Sequence, residues 1–198
     1  MKTRKLHRII GVTLLLPFVG WAVTGLIFFI KPGYADAYDM LTVKTYPLGG
    51  STQVRPDSAW HEFRYFRTIL GDHLIVRSAD GWQHLDPQSL NPRDPPMEDQ
   101  IRKLVGDAFT ANSQRYGNVS RVSGDSISTD TGIEVTLDWT RLSLYQRGKD
   151  TDRIDLLYKI HYLQWTGVDS VDKFLGLAGL VLVLLLTVLG ARLAFKAN

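Results

Sequence analysis

Apolar and charged positions are sharply segregated along this chain. Ile9 to Ile30 and Phe174 to Ala191 contain no charged residue, whereas the stretch between them mixes short apolar runs with frequent charges. As helices these runs would be about 33 Å and about 27 Å long, close to the ~30 Å hydrocarbon core of a bilayer. The pattern predicts a two-span membrane hairpin. Its parts are a tail 1–8, a span 9–30, a folded domain 31–173, a span 174–191 and a tail 192–198. A cleaved leader is the rival reading, since Ala35-Asp36-Ala37 resembles a small-x-small cleavage site. The first run exceeds the ~7–15 residues of a leader's apolar region, so retention is expected.

Within the spans, small residues recur at helical spacing. Thr13, Pro17, Gly20 and Thr24 share one face of the first, and Gly176, Gly179, Val183, Thr187 and Gly190 share one face of the second. Such faces let backbones approach closely, either between the two spans of one chain or between copies in a homodimer. Pro17 is expected to kink the first span.

The middle reads as an α+β domain of antiparallel strands packed on a helix. Lys31 to Gly50 is an exit segment, with Pro32-Gly33, the alternating Leu41-Thr42-Val43 and Gly49-Gly50. Arg64 to Ile69, Leu74 to Arg77 and Trp82 to Leu85 read as strands joined by Gly71-Asp72 and Ala79-Asp80-Gly81. Asn91-Pro92-Arg93-Asp94-Pro95-Pro96 breaks the pattern. A helix follows, its stripe formed by Met97, Ile101, Leu104, Val105, Ala108 and Phe109. Asp94 is placed to cap it, Pro95 suits its first turn, and Glu98 and Asp99 favour its positive end. Ile133 to Leu137 and Leu142 to Leu144 alternate as strands. Gly148 to Asp152 reads as a polar turn, and Ile154, Leu156, Tyr158 and Ile160 alternate again, predicting a last strand that runs into the second span.

Charge sets the orientation. Lys2, Arg4, Lys5 and Arg8 precede the first span, and Arg192 and Lys196 follow the second, with no acid in either tail. Both ends are therefore expected in the cytoplasm and the middle outside it, in the periplasm of a bacterial inner membrane. Every acid, and every basic residue other than these, lies between the spans. The basic pI of about 9.1 thus reports membrane orientation, and no nucleic-acid surface is expected. The chain has no cysteine, which excludes disulfides, thiolate metal sites and thiol catalysis. Asn118-Val119-Ser120 fits the glycosylation triplet but carries no weight in a bacterial compartment.

Short motifs at both ends resemble a known family. Leu6-His7-Arg8-Ile9-Ile10-Gly11 opening a span resembles the LHRxxG start of PepSY-associated membrane proteins. Leu157-Tyr158-Lys159-Ile160-His161, then Trp165-Thr166-Gly167 and a Gly-rich span, resembles their closing segment. The part between is similar to a PepSY module, so the resemblance covers nearly the whole chain. It implies a periplasmic PepSY-like domain. Larger members are implicated in reducing ferric siderophores, with haem b held between histidines on their spans. This chain departs from them in having two spans instead of four and no histidine in mid-membrane.

Candidate chemistry rests on five histidines. His7 sits at the cytoplasmic mouth of the first span and His161 near the outer mouth of the second. They are the positions to which the resemblance would assign haem b. A membrane width separates them, so a twofold homodimer would pair each with its copy. Their plain alternatives are an interfacial polar residue in a basic tail and a hydrogen-bonded strand residue. His61, His73 and His84 form a metal site only if the fold collects them, for no HxH or HxxxH pair occurs. Asp150, Asp152 and Asp155 lack calcium-loop spacing. No G-x-S-x-G, Walker or dinucleotide pattern occurs in the middle domain, and nothing establishes catalysis. Trp60, Trp139 and Trp165 read as core or interface anchors. Three functions stay open. One is a non-catalytic binding module for a peptide or another membrane subunit, using exposed strand edges. The others are a haem-carrying electron-transfer subunit for periplasmic ferric reduction and a regulator of a secreted peptidase.

Overall fold

The computed structural model describes residues 2–49 and 54–195; Gly50 and Lys196 lie outside them. Among the described residues the chain is α+β, with seven helices and two antiparallel sheets. It divides into two compact units, one of Met1–Tyr34 with Thr151–Asn198, the other Ala35–Asp150.

The helical unit begins with α1 (Lys2–Thr13) and α2 (Leu15–Ile30). They are bent by 52° at their junction. Pro17 supplies the cause: it cannot donate to the Thr13 carbonyl one turn back, and its ring crowds that carbonyl. Thr13 Oγ1 also donates to the Ile9 carbonyl at 3.0 Å, a bond that favours bending. After α3 (Tyr34–Ala37), this unit resumes within α6 (Lys149–His161) and ends with α7 (Asp169–Phe195). The 27 residues of α7 span about 40 Å. Among the described helices only α7 is by itself long and apolar enough to cross a membrane; α1 and α2 qualify only if the bent pair is taken as one span.

Small-residue faces pack here, but not all as expected. Space for a Cβ at Gly11 adjoins Leu186, and at Gly190 it adjoins His7, so α1 runs antiparallel to α7. The Gly20 and Thr24 face of α2 instead receives α6, through Ile160 and His161. Phe28 stacks on Tyr158 further along.

The expected last strand is a helix. Ile154, Leu156, Tyr158 and Ile160 alternate, but Ile154, Leu157 and His161 also fall at helical spacing. The second period prevails: Ile154 is buried while Leu156 is 57% exposed. The expected polar turn at 148–152 likewise becomes Gly148 and the first turn of α6. Helix α6 closes on Leu163, whose backbone is left-handed (φ 57°), with Gln164 N–H donating to the Lys159 carbonyl at 2.8 Å. That is a Schellman closure with leucine where glycine is usual.

The second unit holds two sheets. β1 (Glu62–Thr68), β2 (Gly71–Ser78) and β3 (Gly81–Leu85) form the first in the order β1-β2-β3. The turn Ala79-Asp80 sets Ser78 opposite Gly81 and hence Ile75 opposite His84. Helix α4 (Glu98–Phe109) follows, then the one-turn α5 (Ser113–Tyr116). β4 (Val119–Ser123), β5 (Ser126–Thr129), β6 (Glu134–Asp138) and β7 (Ser143–Arg147) form a second meander in chain order. β4 and β5 lie in a serine-rich stretch without apolar alternation. Asp94 does not cap α4; Met97 occupies that position, exposed, its N–H donating to Gln100 Oε1 at 2.9 Å. Pro95 accordingly lies before the helix. The α4 stripe Ile101, Leu104, Val105, Ala108 and Phe109 is buried against Ile127, Val135, Leu137 and Leu144, with Leu41 and Ile75 in the same core. Each such side chain contributes roughly 1.5–3 kcal/mol when fully buried, less for alanine.

Candidate functional site

Ala35–Asp150 carries an open cleft of about 860 Å³. Three segments line it. Residues 37–45 form its strap, residues 64–66 of β1 one wall, and residues 142–146 at β7 the other. Both walls are edge strands of their sheets. The strap is held at each end. The Gln146 side-chain amide donates to the Asp39 carbonyl, and Tyr46 N–H donates to the Arg67 carbonyl at 2.9 Å. Leu41 anchors its middle in the core. The walls are tied by Arg64 Nη2, which donates to the Arg141 carbonyl at 3.3 Å. There Leu142 is buried with a left-handed backbone (φ 50°), a costly conformation for a leucine. Large apolar groups remain exposed along the cleft, notably Met40 (84%) and Tyr145 (55%).

Beside β1 lies a buried polar chain that the separate histidines did not announce. His73 and His84 share one face of the β2–β3 hairpin, diagonal to each other across the ladder. The Trp139 carbonyl can only accept, so His84 Nδ1 donates to it at 2.9 Å. His84 Nε2 then accepts from His73 Nδ1 at 3.0 Å. His73 Nε2 accepts from Thr68 Oγ1 at 2.7 Å, and Thr68 Oγ1 accepts from Leu70 N–H at 3.1 Å. Every atom is satisfied with both imidazoles neutral. Arg93 Nη1 sits 3.2 Å from His73 Nδ1 and donates to the Asp72 carbonyl at 2.6 Å. Burial above all, and then the Arg93 charge, pushes His73 down to about 3; burial pushes His84 down to about 4 against its bond to Trp139. His61 is exposed on another part of the fold. No three histidine or acidic groups among the described residues converge as a metal set.

The two terminal histidines stand in the helical unit. Thr24 Oγ1 donates to the Gly20 carbonyl at 2.6 Å, so it must accept from His161 Nδ1 at 2.8 Å. The His161 carbonyl accepts from Trp21 Nε1 at 2.6 Å. His161 is a helix residue here, not a strand residue, and it lines a recess of about 350 Å³ with Phe18, Trp21, Leu180 and Val183. His7 lies against Gly190, its Nδ1 buried with no hydrogen-bond partner among the described residues. Asp150, once a loose cation candidate, pairs with Arg115 at 2.5 Å, and Asp155 with Lys159 at 2.7 Å. Of the tryptophans, Trp139 joins the histidine chain, Trp60 packs by Leu74 and Val76, and Trp165 is half-exposed.

Comparison of the chain with protein-family models, with characterised proteins and with solved structures finds no match.

Proposed function

We propose that this chain is a membrane-anchored, non-catalytic binding module of the PepSY-associated kind. In this reading both spans cross a bacterial inner membrane, both termini are cytoplasmic, and the domain between them faces the periplasm. The basic tails support that orientation. The cleft between two edge strands is the observation that carries the binding role. Edge strands left open attract further strands, and natural proteins usually blunt or cover them. Here two edges share one mostly apolar opening. The test is photo-crosslinking in cells from a benzoylphenylalanine at Tyr145, repeated with Thr42→Trp to fill the cleft. A discrete adduct that disappears with Thr42→Trp is expected. Adducts unchanged by the filled cleft would defeat the proposal.

A second reading, haem b for periplasmic ferric reduction, is favoured by one observation. Because Thr24 accepts from Nδ1, a neutral His161 keeps an unprotonated Nε2, the form in which histidine ligates metals. His161 and His7 are the residues that would hold the group in a homodimer, and bound haem would supply one-electron transfer. Its signature is a Soret band in the purified chain. Regulation of a secreted peptidase is a variant of the binding role, with the peptidase as partner.

A further inference from the structure

The two cleft walls have the same polarity. Near their starts, β1 and β7 are joined by the Arg64 to Arg141 bond. Near their ends they are joined through the strap, by Gln146 to Asp39 and by Tyr46 to Arg67. From the Arg64 to Arg141 tie the lining residues ascend on both walls, 64–66 on β1 and 142–146 at β7, so the two strands run away from it in the same sense. A single strand entering in the opposite direction would be antiparallel to both, the pairing with the better hydrogen-bond geometry.

The chain itself begins this pairing and stops. Tyr46 forms an antiparallel bridge to Arg67 on the outer side of β1. None of the described residues that follow extends the ladder. The remaining opening bears little charge. Among the described residues lining it, the formally charged side chains are Asp39 and Arg64, and the Arg64 guanidinium already lies over the Trp82 ring at 5.1 Å. β7 is 5 residues long, about 17 Å of extended chain.

Resting on the cleft as the binding site, we propose that its occupant is an extended, uncharged segment of another polypeptide. That segment is about five residues long, by the length of a matching strand. It lies antiparallel to β1 and β7 together and joins the two sheets into one. Main-chain hydrogen bonds to both edges supply affinity, and the apolar walls select alternate side chains.

The test uses the full chain in detergent and a fluorescein-labelled, amide-capped heptapeptide of alternating valine and threonine. Two further versions carry N-methyl groups, one on the odd and one on the even peptide bonds. Anisotropy should show saturable binding, weakened at least about tenfold by either methylation pattern, because each pattern removes the donors facing one edge. Loss with only one pattern would mean a single edge is used and overturns the proposal. Tolerance of both patterns, with binding still abolished by Thr42→Trp, overturns strand insertion but leaves the cleft as the binding site. Binding that Thr42→Trp leaves intact removes the cleft itself. Absence of saturable binding, or self-association of the chain that Thr42→Trp abolishes, also overturns it; the latter assigns the cleft to a second copy.

Discussion

At the scale of single residues, His73 and His84 show how position decides chemistry. As sequence they were two of three scattered histidines whose only prospect was a metal. The turn at Ala79-Asp80 was legible, and counting outward from it places both on one face of a hairpin. What could not be read was Trp139, more than fifty positions away, whose carbonyl fixes the direction of the whole chain of protons. The consequence is acid sensitivity. The unfolded chain takes up these protons below pH ~6.5, while the folded chain resists until pH falls to about 3 for His73 and about 4 for His84. Stability should thus fall as pH drops from ~6.5 toward 4, by on the order of 3 kcal/mol for His84 alone. Thermal melts followed by tryptophan fluorescence should show this slope, and the double variant His73→Gln with His84→Gln should flatten it. An unchanged slope in that variant would remove the histidines as its source.

Among the elements, α6 is the instructive case. A run that alternates apolar and polar can also contain a helical stripe, and Ile154 to Ile160 satisfies both periods. Packing decided between them, because α2 offers a surface of small residues at Gly20 and Thr24 on which a helix can seat. By contrast α4 has no competing strand pattern, and its buried stripe was readable in full apart from Met97. The left-handed Leu163 that ends α6 lies against α7, where a Cβ on Gly179 would come 2.9 Å from its Cδ1. Gly179→Leu should therefore lower the melting temperature in detergent clearly. Leu184→Ala should do so much less, since Leu184 is 67% exposed. Equal melting temperatures for the two variants would show that Gly179 is not at a packing contact.

For the molecule as a whole, the proposed topology makes a direct prediction. A reporter active only in the cytoplasm should work when fused after Asn198, and a periplasmic reporter should work when inserted in the exposed turn at Asp80. Activity of a periplasmic reporter after Asn198 would reverse the orientation. The uncharged runs, the basic tails, the first meander, α4 and the α+β class all follow from the sequence itself. Each depends on neighbours within a few residues, or on composition, and needs no knowledge of what packs where. The tertiary structure alone decided the helix at α6, the β4–β5 hairpin, the joining of His73 to Trp139 and the cleft between β1 and β7. Those features depend on which distant surface each segment meets. A strand edge is open or closed only once the rest of the chain has chosen its partners, and a hydrogen-bond chain acquires its direction only from the group that terminates it.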